Sequence, residues 1–109
     1  GKWAAWADDV LSWLPARITA VLLMAVAGCN AWRTLPEQAR RTPSPNSGWP
    51  MAAMALCLGV RLGKPGVYTL NAVGRVPLAA DTQRAVVLAR NTVLALILWA
   101  WAALYLIAI

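Results

Sequence analysis

The sequence predicts an all-α, polytopic integral membrane fold with a loop region on the cytoplasmic side and a candidate short hairpin. Apolar residues make up 61% of the 109 positions, and the mean hydropathy is +0.58. In soluble domains the apolar content is nearer to roughly half. The excess is concentrated in two runs, residues 18–32 and 92–109. Long apolar runs of this kind are typical of membrane helices.

Residues 1–32 are predicted to form an interfacial or kinked transmembrane helix. Five large apolar residues recur at helical spacing on one side: Trp3, Trp6, Val10, Trp13 and Leu14. Because tryptophan is enriched at bilayer interfaces, this helix is expected to lie on the membrane or to enter it obliquely. Pro15 is expected to interrupt it, and the helix then resumes and runs to about Trp32.

Residues 33–90 are predicted to form a loop region with one short helix at 50–62. The 33–48 part is polar and rich in arginine and proline. Small residues on the short helix allow close approach of neighbours, and its length suits a buried or re-entrant helix better than a span.

A helix stop and a turn are predicted at residues 61–66, where glycine and proline cluster. Residues 67–70 and 75–78 are candidates for a hairpin around 71–74. Pro77 speaks against that pairing because it lacks an N–H donor.

The C-terminal residues predict a transmembrane helix over 91–109. The last helix is expected to begin before this span, with Asp81 as its N-cap. Arg84 and Arg90 then mark the end of the helix that is exposed to water. From residue 92 to 109 there are eighteen uncharged residues, which is close to the length of a membrane span.

Charge predicts the topology. Between Arg33 and Arg90 lie eight Lys or Arg residues against Glu37 and Asp81. If the two apolar runs both span the membrane, the positive-inside rule places this whole segment in the cytoplasm.

Composition also excludes several functions. The net charge is +6, but no basic and aromatic interleaving or groove-reading helix accompanies it, so nucleic acid is not an expected partner. Without histidine, there is no His-based triad and no His metal site. Cys29 and Cys57 each lie in an apolar run, where buried and inert thiols are expected.

The segment 41–50 carries the clearest functional signal in the sequence. Three prolines within it fix the backbone and remove N–H donors, which predicts a stiff loop of small, oxygen-bearing side chains. Ser47 or Gly48 can then serve as the N-cap of a helix with Pro50 near its start. The unpaired N–H groups of such a helix suit a phosphate or another anion, although an ordinary capped helix start explains the same pattern.

Three blocks of the sequence together resemble one family. They read Asp8-Asp9-Val10-Leu11 with Trp13-Leu14-Pro15-Ala16-Arg17-Ile18-Thr19-Ala20; Pro43-Ser44-Pro45-Asn46-Ser47-Gly48-Trp49-Pro50 with Ala52-Ala53-Met54-Ala55; and Gly59-Val60-Arg61-Leu62-Gly63. In order and spacing the chain resembles the adenosylcobinamide-phosphate synthases, the CobD/CbiB family of cobalamin biosynthesis.

The resemblance implies a multi-pass protein of the bacterial inner (plasma) membrane with active loops on the cytoplasmic side. It implies an ATP-dependent amide-forming ligase that joins adenosylcobyric acid, a corrinoid, to aminopropanol or aminopropanol phosphate. The chain resembles only the C-terminal portion of this longer family, so the upstream acidic motifs are expected in a missing N-terminal part or another chain. Ser12 and Met51 stand where family members often carry Asn and an acidic residue.

The predicted catalytic residues are Asp8, Asp9 and Arg17. The two carboxylates are candidate Mg²⁺ ligands together with groups from the missing part. The alternative is that they are simply two neighbouring acidic residues near the start of a helix, with no catalytic role. Arg17 lies two turns beyond Asp9 on about the same face, so it is placed to hold a phosphate. The alternative interpretation is that the Arg17 side chain only extends towards the lipid headgroups.

Substrate and phosphate binding is assigned to the loop and its flanks. The loop residues are Ser44, Asn46, Ser47, Gly48 and Trp49, and the flanking residues are Arg61, Lys64 and Tyr68. Arg61 and Lys64 are expected to close over the phosphate, with solvated helix-end charges as the alternative. Trp49 and Tyr68 are candidates for packing on the corrin or adenine ring, with plain core packing as the alternative.

Two other functional classes are compatible with the sequence. One is a non-catalytic membrane scaffold or signalling protein of the AmpE-like type, and the other is a subunit that only anchors and docks the corrinoid. The rigid, oxygen-rich loop favours an enzyme over both, since an anchor needs no such loop.

Overall fold

The computed structural model describes residues 1–109 and contains four helices and one two-stranded sheet. In chain order these are α1 (Lys2–Ala27), α2 (Leu35–Ala39), α3 (Gly48–Leu58), β1 (Leu62–Lys64), β2 (Tyr68–Leu70) and α4 (Ala79–Ala108). By length and composition, α1 and α4 are each long and apolar enough to cross a membrane. The predominantly helical fold agrees with the prediction.

α1 runs through Pro15 without a break and ends at Ala27. Gly28 closes it with φ +68°, and the N–H of Cys29 donates to the carbonyl of Met24 at 2.9 Å. Glycine adopts this left-handed conformation without a Cβ clash. This corrects two expectations, that Pro15 interrupts the helix and that the helix reaches about Trp32.

α2 lies in the stretch that was predicted to be entirely loop. It contains only five residues, and Pro36 in its first turn is compatible with a helix because no N–H is needed there. Its inner face packs against α3 through Leu35 and Ala39, both buried. Tertiary packing therefore supplies the order that the polar sequence did not indicate.

α3 begins at Gly48, two residues before the predicted start at residue 50; Ser47, one of the two predicted N-cap residues, occupies that position, but no side chain caps the helix. It ends at Leu58 rather than at residue 62, because Gly59 adopts φ +68° and terminates the helix.

The hairpin contains one of the two predicted strands, residues 67–70, but pairs it with a different partner. β1 pairs antiparallel with β2, with Leu62 opposite Leu70 and Lys64 opposite Tyr68. The turn between them forms because Gly66 has φ +77° after Pro65, and the N–H of Val67 donates to Lys64 O at 3.0 Å.

Residues 75–78 do not join this hairpin, which corrects the pairing predicted around 71–74. A second turn does close there, where the N–H of Gly74 donates to Asn71 O at 2.8 Å. Arg75 then forms a parallel bridge with Val60.

α4 begins at Ala79, and Leu78 rather than Asp81 occupies the N-cap position. Asp81 stands in the first turn, where its Oδ2 accepts the N–H of Leu78 at 2.8 Å. Its carboxylate also accepts hydrogen bonds from Arg75 and from Nη1 of Arg84, the latter at 2.9 Å. The hydrogen bond from Arg75, with those from Leu78 and Arg84, holds the pKa of Asp81 well below its usual range.

The core lies between α3 and the inner faces of α1, α2 and the hairpin. Its fully buried members include Ala20, Met24, Ala52, Ala53, Val60 and Leu70. Alanines on α3 allow the neighbouring helices to approach closely, which is why this short helix sits at the centre of the fold. α3 packs along α1 and brings the loop before it alongside the first half of α1.

Candidate functional site

Arg17 is the centre of the arrangement that the loop and α1 build together. Its Nη1 donates to the carbonyl of Trp13 at 2.8 Å and to Oδ1 of Asn46 at 3.1 Å. Its Nη2 donates to the carbonyl of Pro45 at 3.4 Å. The guanidinium is therefore held by protein acceptors and not left to extend freely to a membrane surface.

Two tryptophan rings flank the same guanidinium. The Cζ atom of Arg17 lies 4.1 Å from the ring centre of Trp13 and 4.7 Å from that of Trp49. A cation over an aromatic face is attracted by the negative electrostatic potential of that face, and two such faces restrict the orientation of the guanidinium.

Asn46 joins the loop to two points of α1. Its Oδ1 accepts from Arg17, and its Nδ2 donates to the backbone carbonyl of Asp9 at 2.8 Å. The side chain is 6% exposed, so both bonds are shielded from water. Because both the Oδ1 and the Nδ2 atoms of the amide bond to protein groups, the side chain positions Arg17 and does not itself contact a ligand.

The loop satisfies most of its polar groups by itself. Ser44 Oγ accepts the N–H groups of Asn46 at 3.3 Å and Ser47 at 3.2 Å. Thr42 Oγ1 donates to Ser44 O at 3.0 Å, and the N–H of Trp49 donates to Asn46 O at 3.1 Å. Ser47 is exposed, and its hydroxyl makes no hydrogen bond within the chain. Few backbone donors of the loop therefore remain for an anion.

Gly48 is required by packing. A Cβ there would run into the carbonyl of Ala39 and the hydroxyl of Thr42. The absence of a side chain lets the start of α3 press against the end of α2, which closes the base of the loop.

A cavity of about 570 Å³ opens beside Arg17. Its walls include Trp13, Arg17, Arg40, Thr42, Ser44 and Trp49. The three ion pairs of the chain are Arg41 with Glu37 and Asp81 with Arg75 and Arg84, so neither Arg17 nor Arg40 has a carboxylate partner. Two arginines without counter-ions in one cavity suit an anion.

Asp9 lines a neighbouring cavity of about 440 Å³ with Trp6, Trp13 and Pro45. Asp8 and Asp9 are both exposed, and successive helix positions point about 100° apart. No group of three His, Cys, Asp or Glu side chains gathers anywhere in the chain. Mg²⁺ prefers six oxygen ligands, so the two carboxylates alone do not build its site.

The remaining predicted residues lie apart from the loop. Arg61 and Lys64 are exposed, and neither makes an ion pair or a side-chain hydrogen bond. Tyr68 is half-buried, with its hydroxyl 3.9 Å from Sδ of Met51. The structure thus gathers Asp9, Arg17, Ser44, Asn46, Gly48 and Trp49, while Ser47 and Asp8 lie at the edge.

Sequence reasoning missed Trp13 and Arg40 as members of the site. Trp13 was interpreted only as part of an interfacial stripe, although it stands four positions before Arg17, where helical neighbours meet. That spacing was the available signal. Arg40 was not among the predicted site residues, although its position just before the loop, where it adds positive charge, was an available signal.

Comparison with known proteins matches the chain to one family. The model of the family described as CobD/Cbib protein matches residues 1–96. The Probable cobalamin biosynthesis protein CobD of Methanothrix thermoacetophila is 45% identical over 95 residues, which cover 84% of the chain and 30% of the relative. The protein of the same name from Methanothermobacter thermautotrophicus is 51% identical over 77 residues, or 65% of the chain and 26% of the relative.

A third relative matches the chain over a similar share of its length. The Cobalamin biosynthesis protein CobD of Dehalococcoides mccartyi is 42% identical over 77 residues, or 65% of the chain and 25% of the relative. The chain therefore spans between 25% and 30% of the length of these three relatives. No solved structure matches the chain.

Proposed function

The chain belongs to the CobD/CbiB family of cobalamin biosynthesis, and on that premise we propose that it takes part in adenosylcobinamide-phosphate synthesis. The reaction joins adenosylcobyric acid to aminopropanol, or to its phosphate, through an amide bond at the expense of ATP. This chain supplies the part of the site that contains Arg17 and the loop 42–47. Further groups come from residues beyond those of this chain or from another chain.

The observation that carries the proposal is an arginine without a counter-ion, held in a fixed plane at the wall of a cavity. Amide formation from a carboxylate brings together two kinds of anion, the carboxylate itself and the phosphates of ATP. A site for it needs fixed positive groups aimed at those oxygens. Arg17 fits that requirement, Arg40 adds a second positive charge to the same cavity, and an anchor for a corrin ring would need neither.

The residues divide the work. Arg17 and Arg40 bind the anion, and the Trp13 and Trp49 rings keep the Arg17 guanidinium in plane. Asn46 is a positioning residue, because it contacts Arg17 and the backbone of Asp9. ATP, when bound, supplies the energy that turns the carboxylate into an acylating group.

Charge supports a cytoplasmic placement of the site. The eight Lys and Arg residues from Arg33 to Arg90 outnumber the acidic residues of the same segment, which are Glu37 and Asp81. Short segments of this kind are retained on the cytoplasmic side, where ATP is available.

A corrinoid assay tests the proposal. Membranes from cells that lack this step and produce the chain, alone and together with a chain that supplies the missing part, are given adenosylcobyric acid, ATP and aminopropanol phosphate. Mass spectrometry then measures the amidated corrinoid. We expect product with the wild-type chain and at least about a tenfold loss with Arg17→Gln, since removal of one donor at a charged site costs that much or more.

Arg90→Gln is the matched control, because Arg90 is exposed and its side chain contacts only the neighbouring Asn91. It should leave product formation unchanged. If neither arrangement yields product, the proposal is wrong and a membrane scaffold of the AmpE-like type becomes the better explanation.

A further inference from the structure

The cavity that contains Arg17 and Arg40 adjoins a second cavity of the opposite charge. This second cavity, which we call the Asp9 cavity, measures about 440 Å³, and Asp9 is the only charged side chain in its wall. None of the three ion pairs of the chain involves Asp9. The Asp9 cavity therefore offers a carboxylate without a counter-ion, and such a group suits a cation that donates hydrogen bonds.

One face of α1 builds most of the wall of the Asp9 cavity. Four of its lining residues stand at positions i, i+3, i+4 and i+7, which lie on one side of a helix. They are Trp6, Asp9, Val10 and Trp13. Pro45 of the loop closes the cavity from the other side. The carboxylate is thus the one charged group in a wall that is otherwise made of two indole rings and aliphatic carbon.

Trp6 offers a ring to a cation that approaches Asp9. Its side chain is 62% exposed. The Trp3 ring lies against it at 81°, with ring centres 6.4 Å apart, and this contact restricts the orientation of the Trp6 ring. An ammonium group is attracted both by the face of an indole and by a carboxylate. A primary ammonium is therefore the chemical group that the Asp9 cavity fits.

The two cavities meet at Trp13 and Pro45, which line both of them. The guanidinium of Arg17 is drawn back along α1, because its Nη1 donates to the carbonyl of Trp13 at 2.8 Å. Asp9 stands one helical turn before Trp13, which is about 6 Å along the helix axis. A carboxylate and a guanidinium are therefore offered over the length of a small molecule that has an ammonium at one end and an anionic group at the other.

We propose that the Asp9 cavity binds the ammonium group of the amine substrate, with the Asp9 carboxylate and the Trp6 ring as its contacts. This assignment rests on the reaction proposed above, and it gives Asp9 to the amine where the sequence suggested Mg²⁺. A phosphate on the same amine extends past Trp13 towards Arg17 and Arg40. Asp9 is then the residue that selects an amine over a neutral alcohol of the same shape.

Calorimetry on the chain in detergent tests this with two probes, aminopropanol phosphate and propanediol phosphate. The second probe has a hydroxyl group in place of the amine. Wild type should bind the first at least about fivefold more tightly, because the carboxylate and the indole each attract the ammonium. Asp9→Asn should bind the two probes equally.

Asp8→Asn is the matched control. It removes the same charge one position away, about 100° around the helix, and Asp8 lines neither cavity. This variant should keep the preference for the amine. Both variants should bind pyrophosphate at least as tightly as wild type does, which shows that they are folded and that the Arg17 cavity is intact.

The headgroup of phosphatidylethanolamine carries the same ammonium and phosphate, so the measurement is repeated in nanodiscs with and without this lipid. An equal preference in both supports the soluble amine as the ligand. Loss of the preference only where the lipid is present would assign the cavity to the headgroup and overturn its assignment to the amine substrate.

Three other results would overturn the ammonium site. They are the absence of a preference in wild type, a preference that survives in Asp9→Asn, and an equal loss in Asp8→Asn and Asp9→Asn. The binding measurement uses neither ATP nor a corrinoid, so its outcome is separate from that of the corrinoid assay. Product formation without the preference would overturn the ammonium site alone, and a preference without product formation would overturn the reaction alone.

Discussion

Asn46 holds Arg17 in place: its Oδ1 accepts a hydrogen bond from Nη1 of Arg17 at 3.1 Å, although the two residues stand 29 positions apart. The same amide donates to the carbonyl of Asp9 at 2.8 Å. Loop and helix are therefore joined at two points, one of which is the cationic group of the site.

Asn46→Ala should destabilise the chain and disorder Arg17. It removes two shielded hydrogen bonds, one of them to a charged group, so we expect the free energy of unfolding to fall by about 2–3 kcal/mol. Thermal unfolding in detergent measures this. Asn91→Ala is the control, since Asn91 is exposed and contacts only Arg90, and it should change stability by less than about 0.5 kcal/mol. Equal losses in both variants would contradict the role of Asn46.

Asn46→Asp should keep the fold and reduce anion binding. The new carboxylate would stand at hydrogen-bond distance from Arg17 and neutralise it, while the Nδ2 donor to Asp9 is lost. We expect at least about a tenfold rise in the dissociation constant for pyrophosphate, measured by calorimetry. An unchanged affinity would show that Arg17 is not the binding group.

Trp49→Leu should weaken the same binding to a smaller extent. It removes the ring that lies 4.7 Å from Cζ of Arg17 and leaves the Trp13 ring at 4.1 Å. A cation–π contact is worth about 0.5–2 kcal/mol, so we expect pyrophosphate affinity to fall by roughly 2–30-fold. Trp32→Leu, whose ring stacks on no cation, is the control. Loss of affinity in both variants alike would point to unfolding and not to Arg17.

Gly48→Ala should destabilise the loop by about 1–3 kcal/mol through overpacking. The new Cβ would meet the carbonyl of Ala39 and the hydroxyl of Thr42. Ser47→Ala at the neighbouring position removes an exposed hydroxyl without a partner and should be neutral within about 0.5 kcal/mol. Thermal unfolding of the two variants side by side distinguishes the close packing of Gly48 from a general sensitivity of the loop.

Acid should weaken the junction between the hairpin and α4. Because the folded pKa of Asp81 is lowered by Arg75, Leu78 and Arg84, its stabilising effect is fully present above the ordinary carboxyl pKa of about 3.9. It is lost as the pH falls from that value towards the lower folded pKa. Wild type should therefore unfold at higher temperature than Asp81→Asn at pH 6, and the difference should shrink below pH 4. A difference that does not depend on pH would contradict this assignment.

Part of the site was readable in the sequence because it depends on local backbone chemistry. The prolines of the loop and the candidate N-cap at Ser47 or Gly48 predicted the start of α3 to within two residues. Helical spacing also predicted Asp9 and Arg17 on about one face; in the structure Asn46 contacts the Arg17 guanidinium and the backbone carbonyl of Asp9, and the Asp9 carboxylate takes no part in this contact. Local rules were sufficient for these features.

The rest depends on contacts between distant segments. β1 was missed because Leu62-Gly63-Lys64 has no strand pattern, and its pairing with β2 follows from the turn at Pro65 and Gly66. The sequence also did not show that Ser44 Oγ accepts the N–H groups of Asn46 and Ser47, because a bound anion is an equally suitable acceptor for the same N–H groups. The structure therefore differs from the prediction: Arg17, and not a set of unpaired loop N–H groups, lies at the centre of the site.

Pyrophosphate binding to Arg17→Gln tests the central claim most directly, namely that the loop holds Arg17 as the anion-binding group of the cavity. Calorimetry on wild type, Arg17→Gln and the exposed control Arg90→Gln requires no second chain and no corrinoid. If Arg17 is the anion-binding group, wild type and Arg90→Gln bind pyrophosphate, and the affinity of Arg17→Gln is at least about tenfold lower. Equal binding by Arg17→Gln and wild type would contradict it.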